Sequence, residues 1–125
     1  MIALLDAHAL LWALTADGRL SADARDVIRD PANTVLVSAA TAWELSIKQA
    51  SGKLTVPGSL VEDVETTGFG WLPITPADAV AAAGLPIHHR DPFDRMLVAQ
   101  AQRLDAMLVS RDQALAPYGI GIIVA

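Results

Sequence analysis

Four acidic residues stand where apolar runs break off: Asp6 in "LLDAH", Glu44 in "TAWELS", Asp94 in "DPFDR" and Asp112 in "VSRDQ". Carboxylates gathered at one place raise each other's pKa and cannot all stay ionised without a counter-charge. A hard divalent cation is the economical counter-charge, because carboxylate oxygens plus retained waters are the ligands Mg²⁺ and Mn²⁺ prefer. Such a centre suits hydrolysis of a phosphodiester: the cation activates water, aligns it with phosphorus and neutralises the leaving oxygen. No G-x-x-x-x-G-K-[ST] loop and no post-strand G-x-G-x-x-G occurs, which argues against nucleotide-driven chemistry.

Taken singly, each acid has a plainer explanation. Asp6 and Asp112 can cap the helices that follow them. Glu44 can face solvent in mid-helix. Asp94 can be the N3 acid of a capping-box-like start in which Asp91 is the N-cap and Pro92 the first helical residue. These explanations do not say why acids recur at the same ends of strands, so the elements matter.

Ile2–Leu5, "TVLVS" (34–38), "WLPI" (71–74), "AMLVS" (106–110) and "IGIIVA" (120–125) read as short strands, with Pro73 better placed on an edge than in a centre. Helical stretches lie between them: residues 7–15, Ala22–Asp30 behind Ser21, residues 39–50 stopped by Gly52, a capping-box start at Ser59, another at Thr75, Pro92 to about Leu104, and a short one around Gln113–Ala116. The strands lack polar alternation, so both faces are buried. That predicts an α/β fold with a mostly parallel central sheet of about five strands and helices on both faces. Ligands in such sheets bind beyond the carboxyl ends of the strands. Asp6, Asp112 and the N-terminus of the helix carrying Asp94 fall there, and Glu44 lies in the helix leaving the second strand.

At 125 residues the chain fits one domain, 1–125. It is 53% hydrophobic but only 5% aromatic, so its core is mostly Ala, Val, Leu and Ile. The absence of cysteine excludes disulfides and thiolate metal sites and suits a reducing cytoplasm. A net charge of −5 excludes a global basic field, so a polyanionic substrate must be met by local arginines or bound cations. Setting the four acids aside leaves the other charges nearly balanced. The start "MIALLDAHALLWAL" lacks a basic n-region and is interrupted by Asp6 and His8, so it is not expected to be a signal peptide. No run approaches the ~18 apolar residues of a membrane span.

"LLDAHALLWAL", "VSAATAWELSIKQASGKL", "HHRDPFDRMLVAQA" and "LVSRDQAL", in that order, resemble the PIN-domain ribonucleases, and within them the VapC-type toxins of bacterial toxin–antitoxin pairs. The resemblance runs from the first strand to the last, with "DPFDR" its most specific piece. It implies a PIN-like three-layer sandwich and a Mg²⁺- or Mn²⁺-dependent endoribonuclease. The family's acidic quartet maps onto Asp6, Glu44, Asp94 and Asp112. Ser110 matches the small hydroxyl before the last acid, and Ser38 is a second supporting candidate. The resemblance also implies a homodimer and a small antitoxin partner, which blocks the site with a basic side chain and tethers the pair to promoter DNA.

Other residues keep two readings. Asp91 is an N-cap or a metal ligand. His88 and His89 are loop surface or proton shuttles. Arg90, Arg95 and Arg111 hold RNA phosphates or pair with the neighbouring carboxylates. Lys48 and Lys53 are solvated or touch the RNA backbone. Trp12 and Trp43 are core or interface, and Trp71 is core. Two rivals remain: a silent PIN-like binding module, and a phospho-acceptor receiver-like domain, which would want paired acids after the first strand and a late lysine that this chain lacks.

Overall fold

Every described helix begins at a side chain that accepts a hydrogen bond from its first turn. The structure is a computed structural model that describes residues 1–56 and 58–125. The elements run β1 (Ile2–Leu5), α1 (Ala7–Leu14), α2 (Ala22–Arg29), β2 (Thr34–Ser38), α3 (Ala39–Ala50), α4 (Leu60–Thr67), β3 (Gly70–Leu72), α5 (Pro76–Ala83), α6 (Pro92–Leu104), β4 (Met107–Val109), a 3₁₀ helix (Gln113–Tyr118) and β5 (Ile122–Ile123). The caps are Asp6, Ser21, Ser38, Ser59, Thr75, Asp91 and Asp112. Each satisfies a backbone N–H that the helix cannot satisfy itself. At the other ends, Gly68 (φ 89°) and Asp105 (φ 51°) take the left-handed conformation that stops α4 and α6.

The five strands form one sheet in the order β3-β2-β1-β4-β5, and every neighbouring pair is parallel. The last three strands are shorter than their apolar runs suggested. Pro73 falls just outside β3, on the sheet edge, where its missing N–H breaks no ladder. A receiver-like fold has the order 2-1-3-4-5, so the sheet order by itself excludes that rival.

Side chains alternate across the sheet into two cores. Ala3, Leu5, Val35, Val37 and Val109 face a layer supplied by Ala9, Leu10 and Trp12 of α1, Ala24 of α2, Leu45 of α3 and Val64 of α4. Leu4, Leu72 and Leu108 face Leu97, Val98 and Ala101 of α6 and Leu115 and Tyr118 of the 3₁₀ helix. Helices therefore cover both faces, which is why the strands read as unbroken apolar runs. α5 is locked onto α6 by Asp78, whose buried carboxylate takes two bonds from Arg103, at 2.6 and 3.0 Å.

β1 lies between β2, to which the chain runs first, and β4, which it reaches only after leaving β3 on the far edge. The chain thus changes direction at the β1/β4 junction, and the crevice above the carboxyl ends of those strands is where such sheets take ligands. The register pairs Leu5 with Val109, and the Asp6 N–H donates to the Val109 carbonyl at 3.1 Å. Asp6 and Ser110, far apart in the chain, are therefore neighbours across that crevice.

Candidate active site

A cleft of about 320 Å³ opens above the β1/β4 junction. Its walls hold five carboxylates, Asp6, Glu44, Asp91, Asp94 and Asp112, with His8, Lys48 and Arg111 at the rim. A larger cavity of about 630 Å³ lies by α1 and α2, among Trp12, Leu20, Ile28 and Phe69. Among the described residues Asp17 is its one acid, so size alone does not locate the chemistry.

Asp6 is 7% exposed and caps α1, its Oδ1 accepting the Ala9 N–H at 2.8 Å. Burial pushes its pKa above the usual carboxylate value, against the Ala9 N–H, the nearby Ser110 hydroxyl and His8. Glu44 comes from the middle of α3. Its side chain is largely covered, and its Oε2 accepts from Lys48 Nζ at 2.7 Å. The solvent-facing alternative for Glu44 is therefore not the one the fold adopts. Ser38 is fully buried and caps α3 through the Ala40 N–H at 3.0 Å, so it supports Glu44 through the helix and not from the cleft wall.

Asp91 Oδ1 accepts the N–H groups of Phe93 (2.8 Å) and Asp94 (3.3 Å), the N-cap expected before Pro92. Asp94 does not close a capping box in return. The Asp91 N–H is taken by His89 Nδ1 at 3.1 Å instead, and the Asp94 carboxylate is left to line the cleft. Its pKa is pushed up to about 7 by burial first, then by the charges of Asp91, Glu44 and Asp6. Asp112 caps the 3₁₀ helix with Oδ1 on the Ala114 N–H (3.0 Å), while its own N–H donates to buried Ser110 at 3.1 Å.

His89 joins the acids, which its place in the sequence did not reveal. Its Nε2 lies 2.6 Å from Asp112 Oδ2 and 3.5 Å from Asp94 Oδ2. Among the described residues, His89, Asp94 and Asp112 offer ligand atoms within 4.8 Å of one another, while Asp6 and Glu44 line the same cleft outside that tighter group. "HHRD" could not say which histidine turns inward, since adjacent side chains diverge. His88 points away, edge-on to Tyr118 with ring centres 5.0 Å apart.

Among the described residues, the flanking arginines do not pair with the acids beside them. Arg95 donates to the carbonyls of Ala82, Ala83, Leu85, Pro86 and His89, fastening the end of α5 and the following loop. Arg111 reaches the carbonyls of Ala125 and Arg19 and lies 4.5 Å from the Trp12 ring centre, at the cleft rim. Arg90 is exposed in a neighbouring depression with Leu85 and Ile87. Lys53 is exposed beside Lys48 in a shallow hollow next to the cleft. Trp12 is core, as expected, and Trp71 packs half-buried against the same core. Trp43 is not core: it is 62% exposed and meets Phe93 edge-on at 5.3 Å. No described helix is long and apolar enough to cross a membrane.

A family model described as "PIN domain" matches residues 3–120. The curated proteins compared with the chain yield no match. Solved structures are similar in fold. A chain of VapBC2 from Rickettsia felis, bound to a fragment of promoter DNA, is 12% identical with a TM-score of 0.63, covering 98% of each chain. A chain of FitAcB from Neisseria gonorrhoeae is 17% identical with a TM-score of 0.65, covering 99% of this chain and 97% of that one. A toxin–antitoxin complex from Klebsiella pneumoniae gives 19% identity and a TM-score of 0.65, over 98% and 96%.

Proposed function

Because the chain belongs to the PIN domain family, we propose that it is a divalent-cation-dependent endoribonuclease, the toxin of a toxin–antitoxin pair. One observation carries the reading: five carboxylates share one cleft at the β1/β4 junction, and burial together with the charges of Asp91, Glu44 and Asp6 holds Asp94 near pKa 7. That is an excess of negative charge, which a cation relieves.

The donor set fits a hard cation. Asp6, Glu44, Asp94 and Asp112 offer only oxygen, and the chain has no cysteine, which matches Mg²⁺ or Mn²⁺. These four residues would hold it, and its chemistry is to activate water and to neutralise charge on the scissile phosphate. The chain's own groups do the rest. Asp91 builds the turn that aims Asp94. Ser110 holds the Asp112 backbone. Lys48 balances Glu44. Arg111 stands at the rim where an RNA phosphate would enter, and exposed Arg90 is placed to meet the backbone farther out, whereas Arg95 is occupied with the loop.

The structural neighbours include a toxin–antitoxin complex, and VapBC2 bound to a fragment of promoter DNA. By that analogy the chain's partner is a small antitoxin that fills the acidic cleft with a basic side chain and carries the DNA contact. A homodimer working in the cytoplasm completes the reading. The purified protein is expected to cleave RNA with Mg²⁺ or Mn²⁺ and not with EDTA, and Asp6→Asn or Asp94→Asn to abolish cleavage. Equal cleavage by wild type and both variants sinks the mechanism. No cleavage by wild type under any cation leaves a silent binding module. Light scattering of the toxin alone and with the product of an adjacent short reading frame tests the dimer and the partner.

A further inference from the structure

We infer that His89 is a positioning residue that holds Asp112 through a neutral Nε2–H, and not a ligand of the cation. The inference rests on the nuclease reading only for its kinetic consequence; its geometry stands apart from it.

By distance alone, His89, Asp94 and Asp112 look like a nitrogen–oxygen–oxygen cation site. The hydrogen bonds of the ring decide otherwise. Nδ1 accepts the Asp91 N–H at 3.1 Å, so Nδ1 carries the lone pair. A neutral imidazole has one proton, which must then sit on Nε2. Nε2 lies 2.6 Å from Asp112 Oδ2, the distance of a donor to a carboxylate. A metal-binding histidine shows the reverse arrangement: it presents a lone pair to the ion and donates its other N–H to the protein. For His89 to ligate, Nε2 would have to lose its proton while Nδ1 gained one, facing an N–H for which the described residues offer no other acceptor.

The rest of the loop reinforces this orientation. The His89 N–H donates to Tyr118 Oη at 3.0 Å, and the His89 carbonyl accepts from Arg95 at 3.3 Å. The backbone is thereby fixed on both sides of the ring. Asp112 in turn has one oxygen on the Ala114 N–H and the other on His89, so its carboxylate cannot swing. The chain of contacts runs from the cap of α6, through the imidazole, to the acid that follows β4. Two acids on different elements are thus held in one frame.

The test has an arm that needs neither RNA nor turnover. Long-range ¹H–¹⁵N spectra of the metal-free protein at neutral pH are expected to show His89 as the Nε2–H tautomer, unchanged on saturation with Mg²⁺. Conversion to the Nδ1–H form on adding Mg²⁺ would overturn the inference, whether or not the protein cleaves RNA. In the kinetic arm, His89→Ala should lower kcat by about 10–100-fold with KM for RNA little changed. His89→Gln, which keeps a side-chain N–H donor, should recover most of that loss, and the ratio of Mn²⁺ to Mg²⁺ affinity should stay the same in both variants. Equal loss in the two variants, with a selective fall in Mn²⁺ affinity, identifies a ligand and refutes positioning. Thermal melts of both variants confirm that folded proteins are being compared.

Discussion

Asp91 Oδ1 accepts the backbone N–H of Asp94 at 3.3 Å, so one acid builds the helix turn from which the other reaches the cleft. The two roles separate on substitution. Asp91→Ala should destabilise the fold by about 1 kcal/mol, as loss of an N-cap does. Asp91→Ser should restore most of that loss, because a hydroxyl caps as well. Urea unfolding reads the stability, and Mg²⁺ titration calorimetry of the serine variant reads the second role. Retained Mg²⁺ affinity identifies Asp91 as a cap; a loss equal to that of Asp94→Asn makes it a ligand as well.

Asp94 should oppose folding in the absence of cation. Its folded pKa, about 7, lies above the ordinary aspartate value of 3.8, so the native state binds the proton more tightly than the unfolded chain does. Its contribution to stability is fully present below about pH 4 and is lost as pH rises through about 7. Each tenfold difference in proton affinity is worth roughly 1.4 kcal/mol, so the loss is of the order of a few kcal/mol. Asp94→Asn is therefore expected to raise the melting temperature of the EDTA-treated protein at pH 7.5 and to flatten its rise on acidification to pH 5. Mg²⁺ should stabilise wild type by about 2.7 kcal/mol at a hundredfold excess over Kd, read as a higher melting temperature, and should leave the variant's melting temperature unchanged. A variant less stable than wild type at pH 7.5 in EDTA contradicts this account.

The pair that locks α5 to α6 shows the opposite sign. Arg103 holds the Asp78 carboxyl down to about 2, below its ordinary value of 3.8. That contribution is present above about pH 4 and disappears as pH falls through 2. Arg103→Met strands a buried carboxylate that keeps only the Thr75 N–H and Gln100 as partners, and should destabilise by about 1–3 kcal/mol at pH 7. Unfolding curves at pH 7 and pH 2 give the check: the gap between variant and wild type must narrow in acid.

Arg95 fastens the segment that carries His89 and Asp91. Arg95→Met frees five carbonyls at the end of α5 and in the loop beyond it, and should cost about 1–3 kcal/mol. Arg95→Lys should rescue little, because an ammonium cannot reproduce the planar fork. Hydrogen exchange should quicken in residues 84–91 in both variants. A lysine variant with wild-type protection would mean that charge alone suffices.

Much of this protein's structure is set by its local sequence. A hydroxyl or carboxylate before each apolar-periodic run marks where a helix begins, because capping involves atoms within three residues of one another. The five apolar runs mark the strands, because burial on both faces leaves no room for polar alternation. The acids at strand ends follow from the same two rules, and so does the expectation that Asp91 begins the helix bearing Asp94. Where the runs were short, the strands came out shorter still, since a ladder bond needs a partner strand and apolarity does not supply one.

The tertiary structure decided which distant groups meet. Only the placement of β4 beside β1 brings Ser110 and Asp112 against Asp6. Only the path of the loop turns His89 inward and His88 outward, and only that choice takes the Asp91 N–H from Asp94 and leaves the Asp94 carboxylate in the cleft. Arg95 and Trp43 make the same point from the other side: an arginine beside two acids is used on carbonyls, and a tryptophan in an apolar helix stands in solvent. Local chemistry is set by neighbours a few residues away, whereas convergence and burial depend on strand order and layer packing, which link positions at opposite ends of the chain.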